Sequence, residues 1–104
     1  MMSGEFSEEY PFQVKNRLGV VLLDAAEYGW SLIFENSWFQ EQPDGSAIET
    51  FEPRVLVHLA DIEEAIGEPL TQQHIIHIRG KDYPISDVQP DGHGMAYVPL
   101  RKPL

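Results

Sequence analysis

Four histidines and a surplus of carboxylates are the residues here with chemistry to offer. His58 stands just ahead of Asp61 and Glu64, and an imidazole beside two carboxylates is a set that can move protons. A cleft using His58 with Asp61 and Glu64 is therefore one reading, that of a small β-barrel enzyme or ligand-binding domain. The same carboxylates have a simpler use. Asp61 can cap the backbone amides of a short helix, with Glu64 three residues later as in a capping box. His74 and His77 look like a metal pair, but on a strand a three-residue spacing places them on opposite faces. His58 and His93 fall in separate elements, and no nearby carboxylate fixes a ligand geometry for them. The chain has no cysteine, which excludes disulfides, thiolate metal sites and cysteine nucleophiles. No phosphate cradle, nucleophile elbow or P-loop occurs. Gly92-His93-Gly94 reads as a turn, because no helix follows to hold an anion. The pattern calls for no catalytic residue, metal or cofactor.

The elements that position these residues are mostly strands. Val55 to Leu59 is rich in branched residues, with Val55, Val57 and Leu59 on one face. His74 to Arg79 places Ile76 and Ile78 opposite His77 and Arg79. Gly80-Lys81-Asp82 then turns the chain into Tyr83 to Val88, where Pro84 demands an edge or a bulge. Met95 to Leu100 forms the closing strand, and Tyr83 and Tyr97 are expected to pack across strands. The spacing predicts one short helix at about 61–66, with Ile62 and Ile66 turned inward and Gly67 as its stop. Two clusters, Gln42-Pro43-Asp44-Gly45-Ser46 and Gln89-Pro90-Asp91-Gly92-His93-Gly94, read as hairpin connections.

The first half is more ambiguous. Residues 17–35 suit either an apolar helix or a hairpin of Leu18–Leu23 with Trp30–Glu35; Gly19, Gly29 and the run Trp30 to Phe34 favour the hairpin. Residues 5–16, with Pro11 inside, read as a short helix or an irregular arm. The fold expected is α+β, mainly β: a small antiparallel β-barrel or sandwich with one short helix and a mobile N-terminal arm. It is one domain over 1–104, with 1–16 as the arm and 17–104 as a core carrying a long loop at about 36–52.

Composition limits the partners. Among 104 residues, 17 Asp and Glu face 7 Lys and Arg, for a formal charge of −10. A general nucleic-acid binder needs a basic surface to displace phosphate counterions, and an anionic lipid surface demands the same. Both are excluded. A hydrophobic fraction of 42% rules against disorder. The N-terminus is acidic and lacks the pattern of a signal peptide, and Val20 to Leu23 is too short to span a membrane. A soluble protein is expected, and the lack of cysteine favours an intracellular one.

Trp38 and Phe39 lie beside a polar turn. They are either anchors for a protein partner or a lid over one end of the barrel. Arg54 is one of few positive charges and is expected to pair with Glu52 or Asp61, or to meet an acidic partner. Arg101-Lys102 is either a small basic patch or a frayed end.

Several of these segments share an order with a known group. Ile33-Phe34-Glu35-Asn36, Phe51-Glu52-Pro53-Arg54-Val55-Leu56-Val57 and Ala60-Asp61-Ile62 are followed by Ile76 to Tyr83 and Asp87 to Met95. Over roughly 30–100 the chain resembles phage and prophage head–tail joining proteins of the lambda type, and the last of these segments is the most specific. The N-terminus departs from that group, since its helix is shortened and interrupted by Pro11.

The resemblance implies a structural adaptor rather than an enzyme, in the virion head–tail junction, with the bacterial host cytoplasm as its place before assembly. Its partners would be a connector or portal-proximal protein, a tail protein and further copies of itself, assembled as a hexameric ring. Residues 1–16 and 36–52 correspond to parts that are mobile before assembly in that family. Trp38, Phe39, Phe51 and Arg54 are the candidate contact residues. A tail-terminator or completion role is the neighbouring alternative. The acidic surplus either keeps the protein soluble or lines a channel that lets DNA pass with only passive contact.

Overall fold

A computed structural model describes residues 7–35, 38–41, 43–50 and 53–104; for Ser7, 38–41 and 47–50 it describes the backbone alone. In chain order the elements are β1 (Ser7–Pro11), β2 (Gln13–Lys15), β3 (Val21–Asp24), a 3₁₀ turn (Ala25–Tyr28), β4 (Ser31–Glu35), β5 (Trp38–Glu41), β6 (Ala47–Thr50), β7 (Arg54–Val57), α1 (Leu59–Ile66), β8 (Ile75–Ile78), β9 (Lys81–Pro84), β10 (Gln89–Pro90) and β11 (Ala96–Pro99). Sheet 1 runs β1-β4-β7-β11-β10, sheet 2 runs β3-β2-β8-β9, and β5-β6 form a separate ribbon. All pairings are antiparallel. Among the described residues the architecture is a mainly β sandwich with one α-helix; the sheets do not close into a barrel.

Alternation along each strand builds the core. Phe34, Val55 and Val98 form one row across sheet 1, and Leu23, Val14, Ile76 and Tyr83 form one across sheet 2. All seven are buried. Phe34 meets Tyr83 with ring centroids 5.9 Å apart, so this tyrosine, beside Ile76 in its own row, also bridges the two sheets.

The N-terminal segment is not a helix or an irregular arm from Ser7 onward. It forms β1 on the edge of sheet 1 and then β2 inside sheet 2. Pro11 marks the switch. Its missing donor ends the ladder, and Phe12, 4% exposed, carries the chain through the core between sheets. Residues 1–6 lie outside the described residues.

The hairpin expected between 18–23 and 30–35 is also corrected. β3 and β4 are strands, but they belong to different sheets. The 3₁₀ turn buries Ala25 and ends on Gly29 at φ 73°, which only glycine adopts without strain. It carries the chain across the sandwich instead of reversing it. The hairpin partner of β3 is β2, joined through a turn in which the Asn16 carboxamide oxygen accepts the N–H groups of Leu18 and Val20.

Both proline-containing clusters are hairpin connections, as the sequence suggests. Asp91 accepts from the N–H groups of His93 and Met95 between β10 and β11. Asp44 accepts from Ser46 at the ribbon tip, and these bonds hold its carboxyl below the usual range. The expected long loop at 36–52 thus contains two paired strands.

Helix α1 starts earlier than expected and has a different cap. His58 is its N-cap and makes no side-chain cap hydrogen bond, while Asp61 sits in the first turn. The Ala60 N–H is satisfied instead by the Gly94 carbonyl at 3.2 Å. The packing of the β10–β11 turn against the helix start therefore replaces a capping box. Ile62 is fully buried and Ile66 partly so, and Gly67 at φ 76° closes the helix.

Pro84 lies in the outer strand of sheet 2, where a missing donor does no harm. Arg79 leaves the strand for a two-residue turn with Gly80, both at positive φ. The C-terminal residues are not frayed. The Arg101 and Leu104 N–H groups donate to the Pro84 and Asp82 carbonyls, each at 2.8 Å, laying the tail along β9.

Candidate interaction surface

The ribbon of β5 and β6 leaves sheet 1 after Glu35 at the end of β4 and returns at Arg54, the start of β7. Glu35 and Arg54 are register partners, and the Arg54 Nε donates to the Glu35 Oε1 at 2.5 Å. Their side chains are 23% and 18% exposed, so water screens the pair only partly. The guanidinium lies 3.8 Å from the centre of the Tyr97 ring, on the third strand of the row. Arg54 is thus held by an acid on one side and an aromatic face beneath. Asp61 is not among its described partners, and Glu52 falls outside the described residues.

The next row along the outer side of sheet 1 is Glu9, Ile33, Leu56 and Tyr97. Ile33, Leu56 and Tyr97 are half-buried, while Glu9 is exposed and accepts from the Ser31 hydroxyl at 2.9 Å. An apolar centre with a polar rim is the anatomy of a protein–protein contact.

On the ribbon, Trp38 is the register partner of Thr50 and Phe39 of Glu49. The structure places these two aromatic positions beyond the Glu35–Arg54 pair, on a strand rather than a loop. Phe51 lies outside the described residues.

The His58, Asp61 and Glu64 set is only partly assembled. His58 and Asp61 line one cavity of about 280 Å³ with Phe12, Trp30 and Ile62, and Glu64 is not among its walls. His74 and His77 have separate partners. His74 is buried; its Nδ1 accepts the Thr71 N–H at 3.1 Å while its Nε2 meets Glu68 at 2.6 Å. That pattern selects the tautomer with hydrogen on Nε2. His77 is half-exposed and bonds Asp82 through Nδ1 at 2.6 Å, and Lys15 reaches the same carboxylate at 3.1 Å. The His77 hydrogen bond, with the Lys15 ammonium, holds the Asp82 carboxyl below the usual carboxylate range against the opposing pull of burial. Among the described residues no three His, Asp or Glu side chains gather as metal ligands.

Sequence reasoning missed Glu35 as the partner of Arg54. It also missed Tyr97 as the floor beneath that arginine. Both follow from strand register, which local spacing does not reveal.

No helix among the described residues is long and apolar enough to cross a membrane. A search of curated proteins finds no match. The profile of the phage head–tail attachment proteins matches residues 12–100. That span takes in β2 to β11, the helix and the ribbon, and leaves out β1 with the residues before it and the last residues of the tail. On that match, the chain belongs to the phage head–tail attachment protein family and is a structural component of the head–tail junction.

Proposed function

We propose that the chain acts as an adaptor that closes into a hexameric ring between the connector below the phage head and the tail. The ribbon carries this reading. It pairs with neither sheet, and a two-stranded ribbon alone is marginal in water. Docking against a neighbouring subunit or a connector protein supplies the packing that such a ribbon needs. Trp38 and Phe39 supply aromatic anchors, Phe51 extends them, and Arg54 fixes the root from which the ribbon projects. The protein works by assembly and not by catalysis, as one domain over 1–104.

The charge of −10 suits a channel wall that meets DNA passively, because like-signed surfaces release no counterions on contact. Before assembly the subunits reside in the cytoplasm of the bacterial host. Electron microscopy of tail-joined particles tests the proposal: ring-shaped density of this protein at the junction is expected, and a junction complete without it overturns the reading.

A second reading rests on the cavity that His58 and Asp61 share with Trp30. An imidazole, a carboxylate and an aromatic wall suit a small ligand or a proton-transfer site. A folded His58→Ala protein that joins heads to tails normally supports the adaptor; one that loses an activity found for the purified protein supports the second reading.

A further inference from the structure

Positive charge is segregated in this molecule. Lys15, Arg17, Arg79, Lys81, Arg101 and Lys102 all belong to sheet 2, its turns or the tail beside it, and Arg54 alone belongs to sheet 1. Arg17 and Arg101 line one cavity of about 530 Å³, with Gln72 and Gln73 on its wall. Among the described residues neither guanidinium has an ion-pair partner, whereas Lys15 and Arg54 are committed to Asp82 and Glu35. The backbone behind both arginines is fixed. Asn16 bonds the turn that carries Arg17, and the Arg101 N–H is held by the Pro84 carbonyl. Two guanidinium forks and two carboxamides set on a braced frame form a receptor for carboxylates.

The same chain carries a matching surface. Glu63 and Glu68 on and after α1 are engaged by the Leu70 N–H and His74. Asp61 and Glu64 are exposed and have no partner among the described residues. Three positions apart on a helix, they stand about 5–6 Å from each other on one flank.

We propose that the Arg17–Arg101 cavity receives the Asp61–Glu64 flank of a second copy of this chain, so that copies join cavity to helix. The inference rests on the ring reading, because a heterologous ring contact needs two different, complementary surfaces on every copy. A DNA phosphate offers similar oxyanion chemistry, but only a second copy supplies the complementary surface that a closed ring of identical chains needs.

Charge reversal tests this pairing on the full chain. Self-association is measured by sedimentation over a concentration series, with ring formation on tailless heads followed by electron microscopy. Arg17→Glu with Arg101→Glu, and separately Asp61→Lys with Glu64→Lys, each weakens association by roughly tenfold or more. Circular dichroism checks that each variant keeps the fold. Mixed in equal amounts, the two reversed proteins recover association, since each then offers the surface the other lacks. Wild-type association in either variant overturns the inference, as does a mixture that fails to recover. Loss of duplex DNA binding by the arginine variant, with self-association intact, assigns the cavity to phosphate instead. If wild-type protein forms rings on heads and the variants do too, only the pairing fails. If wild-type protein forms no ring, the ring reading itself fails.

Discussion

Glu35 and Arg54 face each other across β4 and β7 at the two points where the chain leaves sheet 1 for the ribbon and comes back. The ion pair at 2.5 Å ties the ribbon root shut, and the Tyr97 ring under the guanidinium fixes its tilt.

Breaking the clasp from the arginine side leaves a partly buried carboxylate without its donor. Arg54→Met is expected to lower stability by about 1–3 kcal/mol, the usual effect of losing a charged hydrogen bond. Glu35→Gln keeps an acceptor and loses less. Urea unfolding midpoints of the two variants give the comparison.

Trp38→Ala separates docking from folding. The ribbon makes no ladder with either sheet, so the unfolding free energy should change by no more than about 0.5 kcal/mol. Head–tail joining should fall as for loss of an interface anchor, by about 2 kcal/mol or roughly thirtyfold. An in vitro complementation assay with tailless heads and free tails reads that loss.

Acid stability should carry the signature of Asp82. Its carboxyl titrates below the ordinary value because His77 and Lys15 favour the charged form. A lowered folded value means that its contribution is full above the unfolded carboxylate range, about pH 4, and is lost as pH falls from there through the depressed value. Asp82→Asn should flatten the stability curve in that acid window. Denaturant melts across an acid pH series provide the measurement.

The core row of sheet 2 should be intolerant of truncation. Ile76 is fully buried between Val14 and Tyr83. Ile76→Ala is expected to remove about 2–5 kcal/mol, a large share of the roughly 5–15 kcal/mol typical of a whole domain. Thermal unfolding followed by near-ultraviolet circular dichroism shows the loss.

Local signals account for much of this architecture. Val55, Val57, Ile76 and Ile78 alternate cleanly enough to place β7 and β8, and Pro84 announces the edge position of β9. Asp44 and Asp91 act within their own turns, so their hairpins are readable from a few residues. What escapes local reading is decided by partners far along the chain. β3 and β4 both read as strands, yet the buried Ala25 and the left-handed Gly29 send them to different sheets. Pro11 reads as a disruption because nothing nearby tells that sheet 2 waits for Val14. Asp61 fits a capping box in sequence, but the Gly94 carbonyl arrives from the other end of the chain and moves the helix start. The candidate surface divides in the same way: Arg54 stands out as a rare positive charge, whereas its partners Glu35 and Tyr97 depend on register.

The tail that runs along β9 has a consequence for how copies can stack. Its two N–H groups occupy the outward carbonyls of Asp82 and Pro84, leaving β3 as the open margin of sheet 2. A strand from another molecule can add to that sheet on one side only. Two such molecules can meet margin to margin, and growth stops there. Sheet 2 is therefore a dead end for fibril growth.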